Sequence, residues 1–133
     1  MTAKGSYVLV VDCDGPVEIE VGALGVITFN GAYAYVGSAF GAGGLSRVDR
    51  HRELAAGDRA TRHWHIDYLL GDDDTSLSTV ETYPDRDIEC ALATAFADAG
   101  CDPVAAFGAS DCDCGSHLWS LETPSLPAAV ETV

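Results

Sequence analysis

Ser6 to Val11 forms a β-branched and aromatic run bounded by Asp12, Asp14, Gly15 and Pro16, the pattern of a buried strand that runs into a turn. Val17 to Val21 then alternates apolar with acidic side chains, as a half-exposed strand would. Val26 to Phe29 and Ala32 to Val36 flank Asn30-Gly31. Both residues of that pair tolerate positive φ, so the pattern predicts a type I′ turn joining two antiparallel strands. Gly37 to Gly44 reads as a glycine-rich loop. Leu45 to Leu54 then sets Leu45, Val48 and Leu54 on one side of an amphipathic helix, with the arginines largely elsewhere.

In His63 to Leu70, Trp64, Ile66 and Tyr68 alternate with His63, His65 and Asp67, which predicts a strand. An acidic turn, Gly71 to Thr75, leads to another strand from Leu77 to Tyr83. Pro84 to Asp87 suits a helix start, because Pro is tolerated in a first turn and Asp favours the positive end of the helix dipole. The helix is expected to run to about Ala99 and to stop at Gly100. Ser116 to Leu121 is the last predicted strand. These elements predict an α/β domain over residues 1–121, a small antiparallel sheet flanked by helices, with a loosely held tail over 122–133.

The 133 residues suit one domain with its own core. Charge changes the picture more than length does. Five of the seven basic residues fall between Arg47 and Arg62, a window with three acids and a net charge of +2, while the rest of the chain is net −16. Fourteen Asp, seven Glu and a single Lys suit solvation in concentrated salt, where the Debye length shrinks to about 3 Å and self-repulsion is screened. A salt-adapted protein is the expectation. In such salt the acidity does not exclude nucleic acid, but binding would rest on shaped hydrogen bonds and stacking rather than counterion release.

No apolar run approaches the roughly 20 residues of a spanning helix, and Met1 to Gly5 has no apolar signal core. A soluble, cytoplasmic protein with no membrane partner is expected. Five cysteines, an odd number, fit reduced thiols better than a secreted disulfide framework.

Several residues in order resemble a known family. Gly5-Ser6-Tyr7 leads a strand, and a later strand ends in Tyr35-Val36-Gly37-Ser38. A helix follows with Arg47 and His51 four apart, and then Glu89 on a later helix. This set resembles the GIY-YIG nuclease superfamily. The segments His63 to Leu70 and Phe107 to Leu118 are similar to those of its archaeal Uri-type endonuclease subfamily, long catalogued as a domain of unknown function. The resemblance covers Gly5 to about Trp119. It departs in having Ser6 where an aliphatic residue is usual, and in a longer gap from Tyr7 to Tyr35, which an added hairpin over Val17 to Phe29 would fill.

The resemblance implies a metal-dependent endonuclease that hydrolyses a nucleic-acid phosphodiester, with DNA expected over RNA. Glu89 would hold a single Mg²⁺ or Mn²⁺, and Arg47 would bind the scissile phosphate, in preference to Arg50 because of its spacing to His51. Tyr7 or Tyr35 would orient or deprotonate the water. A tyrosine's ordinary pKa near 10 makes it a poor unaided base, so a neighbouring metal or arginine would have to lower it. His51 is a further proton-transfer candidate. Arg50, Arg52 and Arg62 are expected to dock phosphate, and His63, His65 and His117 form a possible additional site.

Residue by residue, plainer readings compete: strand-end tyrosines in a core, a solvated Arg-His helix face, and a carboxylate favoured by a helix dipole. Cys101, Cys112, Cys114 and His117 are soft ligands enough for one zinc, but the spacing is not that of a finger, and no zinc site is expected. Trp64 and Trp119 are candidates to stack on unpaired bases, with core packing the commoner use. The rival functional class is a noncatalytic nucleic-acid-binding module that docks phosphate on the Arg47 to Arg62 face.

Overall fold

The computed structural model describes residues 4–40, 43–57, 65–104, 117–123, 125–131 and 133. In chain order the elements are β1 (Gly5–Glu20), a 3₁₀ turn (Gly22–Leu24), β2 (Val26–Ala39), α1 (Ser46–Ala55), α2 (His65–Leu70), β3 (Thr75–Pro84), α3 (Glu89–Asp98), β4 (Leu118–Leu121) and α4 (Ala128–Glu131). The strands form one antiparallel sheet in the order β3-β1-β2-β4. This is the expected α/β arrangement of a small antiparallel sheet flanked by helices.

Alternation along β1 and β2 divides the core. Tyr7, Leu9, Val11, Tyr33 and Tyr35 pack with Val48 and Leu54 of α1 and with Ile66, Leu69 and Leu70 of α2. Val8, Ala34 and Val36 pack with Leu92, Phe96, Trp119 and Val130. Both clusters mix aliphatic and aromatic side chains, and burying each large one contributes about 1.5–3 kcal/mol.

The turn chemistry of the first hairpin is used differently from the sequence expectation. Asn30-Gly31 does not close a hairpin, and Asp12 to Pro16 does not end a strand. They lie across from each other in one long pair, with Cys13 opposite Gly31, Val17 opposite Phe29, and a register shift between them. Gly15 (φ 94) and Gly31 (φ 80) therefore shape a bulge, which needs the same positive φ as a turn. The chain reverses instead at Val21–Gly25, closed by Val21 N–H to the Gly25 carbonyl at 2.9 Å. Val17 to Phe29 accordingly forms a hairpin arm continuous with the main sheet.

Residues 65–70 are helical, not the expected strand. Ile66, Leu69 and Leu70 are buried at i, i+3 and i+4 spacing, and Asp67, which alternation would expose, is buried as well. Helix α3 starts later than expected, at Glu89, because Pro84 ends β3 and a turn at Asp85 (φ 61) intervenes. Its end is as expected: Gly100 takes φ 86, and Cys101 N–H bonds the Phe96 carbonyl in a Schellman pattern. The tail is more ordered than its composition predicts, since α4 packs on α3 and inserts Val130 into the second core.

Candidate active site

Pairing of β1 with β2 sets Tyr7 opposite Gly37 and Leu9 opposite Tyr35, bringing the two tyrosine triplets side by side. The register explains the glycine: a Cβ on Gly37 would sit inside the Tyr7 ring. Gly5 is constrained likewise, because a Cβ there would overlap the Tyr83 carbonyl of β3. The rings of Tyr7 and Tyr35 are 6.4 Å apart at their centroids.

His51 faces this pair from α1. Its side chain is wholly buried, and its Nε2 lies 2.8 Å from the Tyr7 hydroxyl. Burial drives its pKa down to about 4, against an opposing pull from Asp67 and with Arg50 and Arg47 adding to the fall. A neutral imidazole protonated at Nδ1 can accept the Tyr7 proton in this hydrogen bond, and the Nε2 tautomer would donate instead. Burial likewise raises the Tyr7 pKa far above its ordinary value; Arg47, through charge and a hydrogen bond, pulls it down, while Glu89 and Asp67 add to the rise. Tyr35 is raised for the same leading reason. Arg47 is thus where a tyrosine-activating cation was expected, but desolvation outweighs it, and Tyr7 remains a phenol.

Arg47 also donates from Nη1 to the Ser38 carbonyl at 2.7 Å, at the end of β2. Arg50, one turn on, is engaged elsewhere: its two Nη groups bond the two Asp67 carboxylate oxygens at 2.9 and 2.8 Å. That fork is occupied by a fully buried carboxylate. Arg52 points to solvent, 3.6 Å from Asp49. The three described arginines of the cationic window therefore point three ways rather than forming one face. Arg62 and His63 lie outside the described residues.

Glu89, in the first turn of α3, is mostly buried, with its Oε1 3.8 Å from Nε2 of His117, and its charge is felt by both tyrosines. The His117 ring lies 6.4 Å from Tyr35. The structure thus brings together Tyr7, Tyr35, Arg47, His51, Glu89 and His117. His65 begins α2, part-buried, with its pKa lowered by burial. Trp119 is buried in the second core, the plainer of its two readings.

The family model for the domain of unknown function DUF123 matches residues 6–133, almost the whole chain. The chain belongs to this family. No curated protein and no solved structure matches it.

Among the described residues of this DUF123 domain, no group of three or more His, Cys, Asp or Glu side chains is gathered as a metal cage. The donor chemistry suits a different kind of ion. Mg²⁺ commonly takes one or two carboxylates and keeps its waters for substrate oxygens, which Glu89 beside His117 fits. Cys101 is a free thiol at the end of α3, and Cys112 and Cys114 lie outside the described residues. Cys90 is disulfide-bonded, which corrects the expectation of reduced thiols throughout.

Two residues of the site escape the sequence reading. Asp67 was paired by alternation with exposed positions, and its signal, an acid within helical reach of Ile66, Leu69 and Leu70, is visible only once the segment is read as a helix. Ser6 stood out only as a departure from an aliphatic pattern. A hydroxyl inside a buried strand calls for a partner, and that was its signal.

Proposed function

We propose that this protein is a metal-dependent endonuclease of the GIY-YIG type, which cuts a nucleic-acid phosphodiester, DNA in preference to RNA, by single-step hydrolysis. The observation that carries the reading is the meeting of the Tyr7–His51 hydrogen bond with Arg47 and Glu89 at one end of the sheet. Each role that phosphodiester hydrolysis requires has a side chain in that cluster.

Tyr7 accepts a hydrogen bond from the attacking water while its own proton is held by His51. As water's oxygen bonds phosphorus, water's proton passes to Tyr7 and the Tyr7 proton to His51, while the leaving oxygen departs with the electron pair of the broken P–O bond and takes a proton from solvent, to which His51 later returns its own. The relay avoids a free phenolate, which burial makes too costly. Burial also makes His51 a weak resting base, and the negative charge of a docked phosphate works in the opposite direction. Arg47 binds the nonbridging oxygens and stabilises their growing charge. Glu89, with His117 beside it, would hold the divalent ion; when bound, that ion supplies Lewis-acid stabilisation of the phosphate and leaving oxygens.

The test is cleavage of labelled single-stranded and duplex DNA and RNA in multimolar KCl, with Mg²⁺ or Mn²⁺ and with chelator. Metal-dependent cuts support the reading and identify the substrate. Binding without cleavage under every condition would favour the noncatalytic docking module.

A further inference from the structure

Ser6 is fully buried in the middle of the Gly5-Ser6-Tyr7 triplet, flanked by β3 and β2. Its hydroxyl donates to the Arg86 carbonyl at 2.8 Å and accepts the Ile88 N–H at 3.0 Å. Both partners lie in the segment between β3 and α3. Ile88 is the N-cap of α3 and makes no side-chain cap of its own. In a capping box, a glutamate inside the helix reaches back to the N-cap N–H. Here N3 is Ala91, which cannot reach back, and a residue of a distant strand fills that role; Glu89, at the first helical position, faces His117 and the tyrosines.

We infer that Ser6 is a positioning residue for Glu89: one buried hydroxyl fixes the start of α3 relative to the strand that carries Tyr7. The inference rests on the proposed nuclease function. Ser6 is covalently next to Tyr7, and the peptide it holds is next to Glu89, so the two halves of the site are tied through a single side chain. An aliphatic residue at position 6 would leave the Ile88 N–H and the Arg86 carbonyl without these bonds and would let the first turn of α3 shift.

The experiment compares wild type, Ser6→Ala and Ser6→Thr by Mn²⁺ binding, read by electron paramagnetic resonance without nucleic acid, and by the Mn²⁺ concentration that half-saturates cleavage. Ser6→Ala should weaken Mn²⁺ binding and raise the half-saturating concentration roughly 10- to 100-fold, as loss of a group that orients a metal ligand does. The KM for nucleic acid should stay unchanged, and Ser6→Thr, which keeps the hydroxyl, should restore most of the affinity. A merely structural role would lower the melting temperature of Ser6→Ala and leave its Mn²⁺ affinity at the wild-type value, and that result overturns the inference. Wild type that neither binds Mn²⁺ nor cleaves would instead overturn the nuclease reading, and this inference with it.

Discussion

Arg47 and Arg50 stand one turn apart on α1, and their surroundings differ in kind. Arg50 reaches across to α2, where both oxygens of a fully buried Asp67 take both of its Nη groups. Arg47 reaches the end of β2, where it meets a backbone carbonyl and a phenol that stays protonated. One guanidinium is locked in a fork with a buried carboxylate, whereas the other donates to the backbone at the end of β2 beside the tyrosine pair. A count of arginines along the chain cannot separate the two, because spacing on a helix does not say which neighbour holds a carboxylate.

The sharpest way to break the comparison is to remove the counter-charge. Asp67→Ala leaves Arg50 part-buried opposite an apolar side chain, and its unfolding free energy in urea should fall by about 3–5 kcal/mol. Replacing both partners, Arg50→Met with Asp67→Leu, should recover most of that loss, because two desolvated charges contribute little beyond a well-packed apolar pair. An Asp67→Ala protein as stable as wild type would mean that the two arginines are not different in kind.

Arg47→Ala should do the reverse. Cleavage should fall by roughly 10²- to 10³-fold, the usual effect of losing one donor to a developing oxyanion. Stability should change by about 1–3 kcal/mol, the scale of the lost hydrogen bonds to Ser38 and Tyr7. Single-turnover rates beside urea curves for the same samples would show whether activity and stability part in this way.

The next effect concerns His51, whose protonation both arginines oppose. Its imidazole binds a proton less firmly folded than unfolded, so acid favours the unfolded chain. The stability it contributes is complete above its ordinary pKa of 6.5 and is lost as pH falls toward about 4, a change of about 3 kcal/mol. The protein's many carboxylates add their own acid sensitivity. The difference between wild type and His51→Gln, followed by melting temperature from pH 7 to pH 4, isolates the histidine. Parallel curves for the two proteins would show that His51 is not held neutral by burial.

The smallest effect expected per group is that of salt. With a formal net charge of −14, the chain should gain stability on going from low to multimolar KCl, as self-repulsion is screened. Urea unfolding that is equal in both would remove the case for salt adaptation.

Much of the fold is visible in the sequence where a single periodicity governs a segment. The strand from Ser6 and the helix around Val48 and Leu54 bury the faces their patterns predict, and Gly100 ends α3 as a left-handed cap. The errors arise where two physical demands share one signal. Positive φ serves a bulge as well as a turn, so Asn30-Gly31 and Gly15 read as chain reversals although they lie within one strand pair. In residues 63–70, alternation and helical spacing are both present, and the deciding fact is tertiary: the Arg50 fork that allows Asp67 to be buried. At the candidate site, the family resemblance pointed to Tyr7, Tyr35, Arg47, His51 and Glu89, and the fold brings these residues together. Their energetics were not legible in the sequence. That burial would outweigh Arg47 at Tyr7, and that a buried histidine would hydrogen-bond the phenol, follows only from the packed structure.

The most direct test of the nuclease account is a paired measurement on Glu89→Gln: affinity for the nucleic acid that wild type cuts, and single-turnover cleavage of the same substrate with Mn²⁺. The account predicts affinity within a few-fold of wild type and cleavage reduced by roughly 10³-fold or more. Cleavage by Glu89→Gln at the wild-type rate would contradict it.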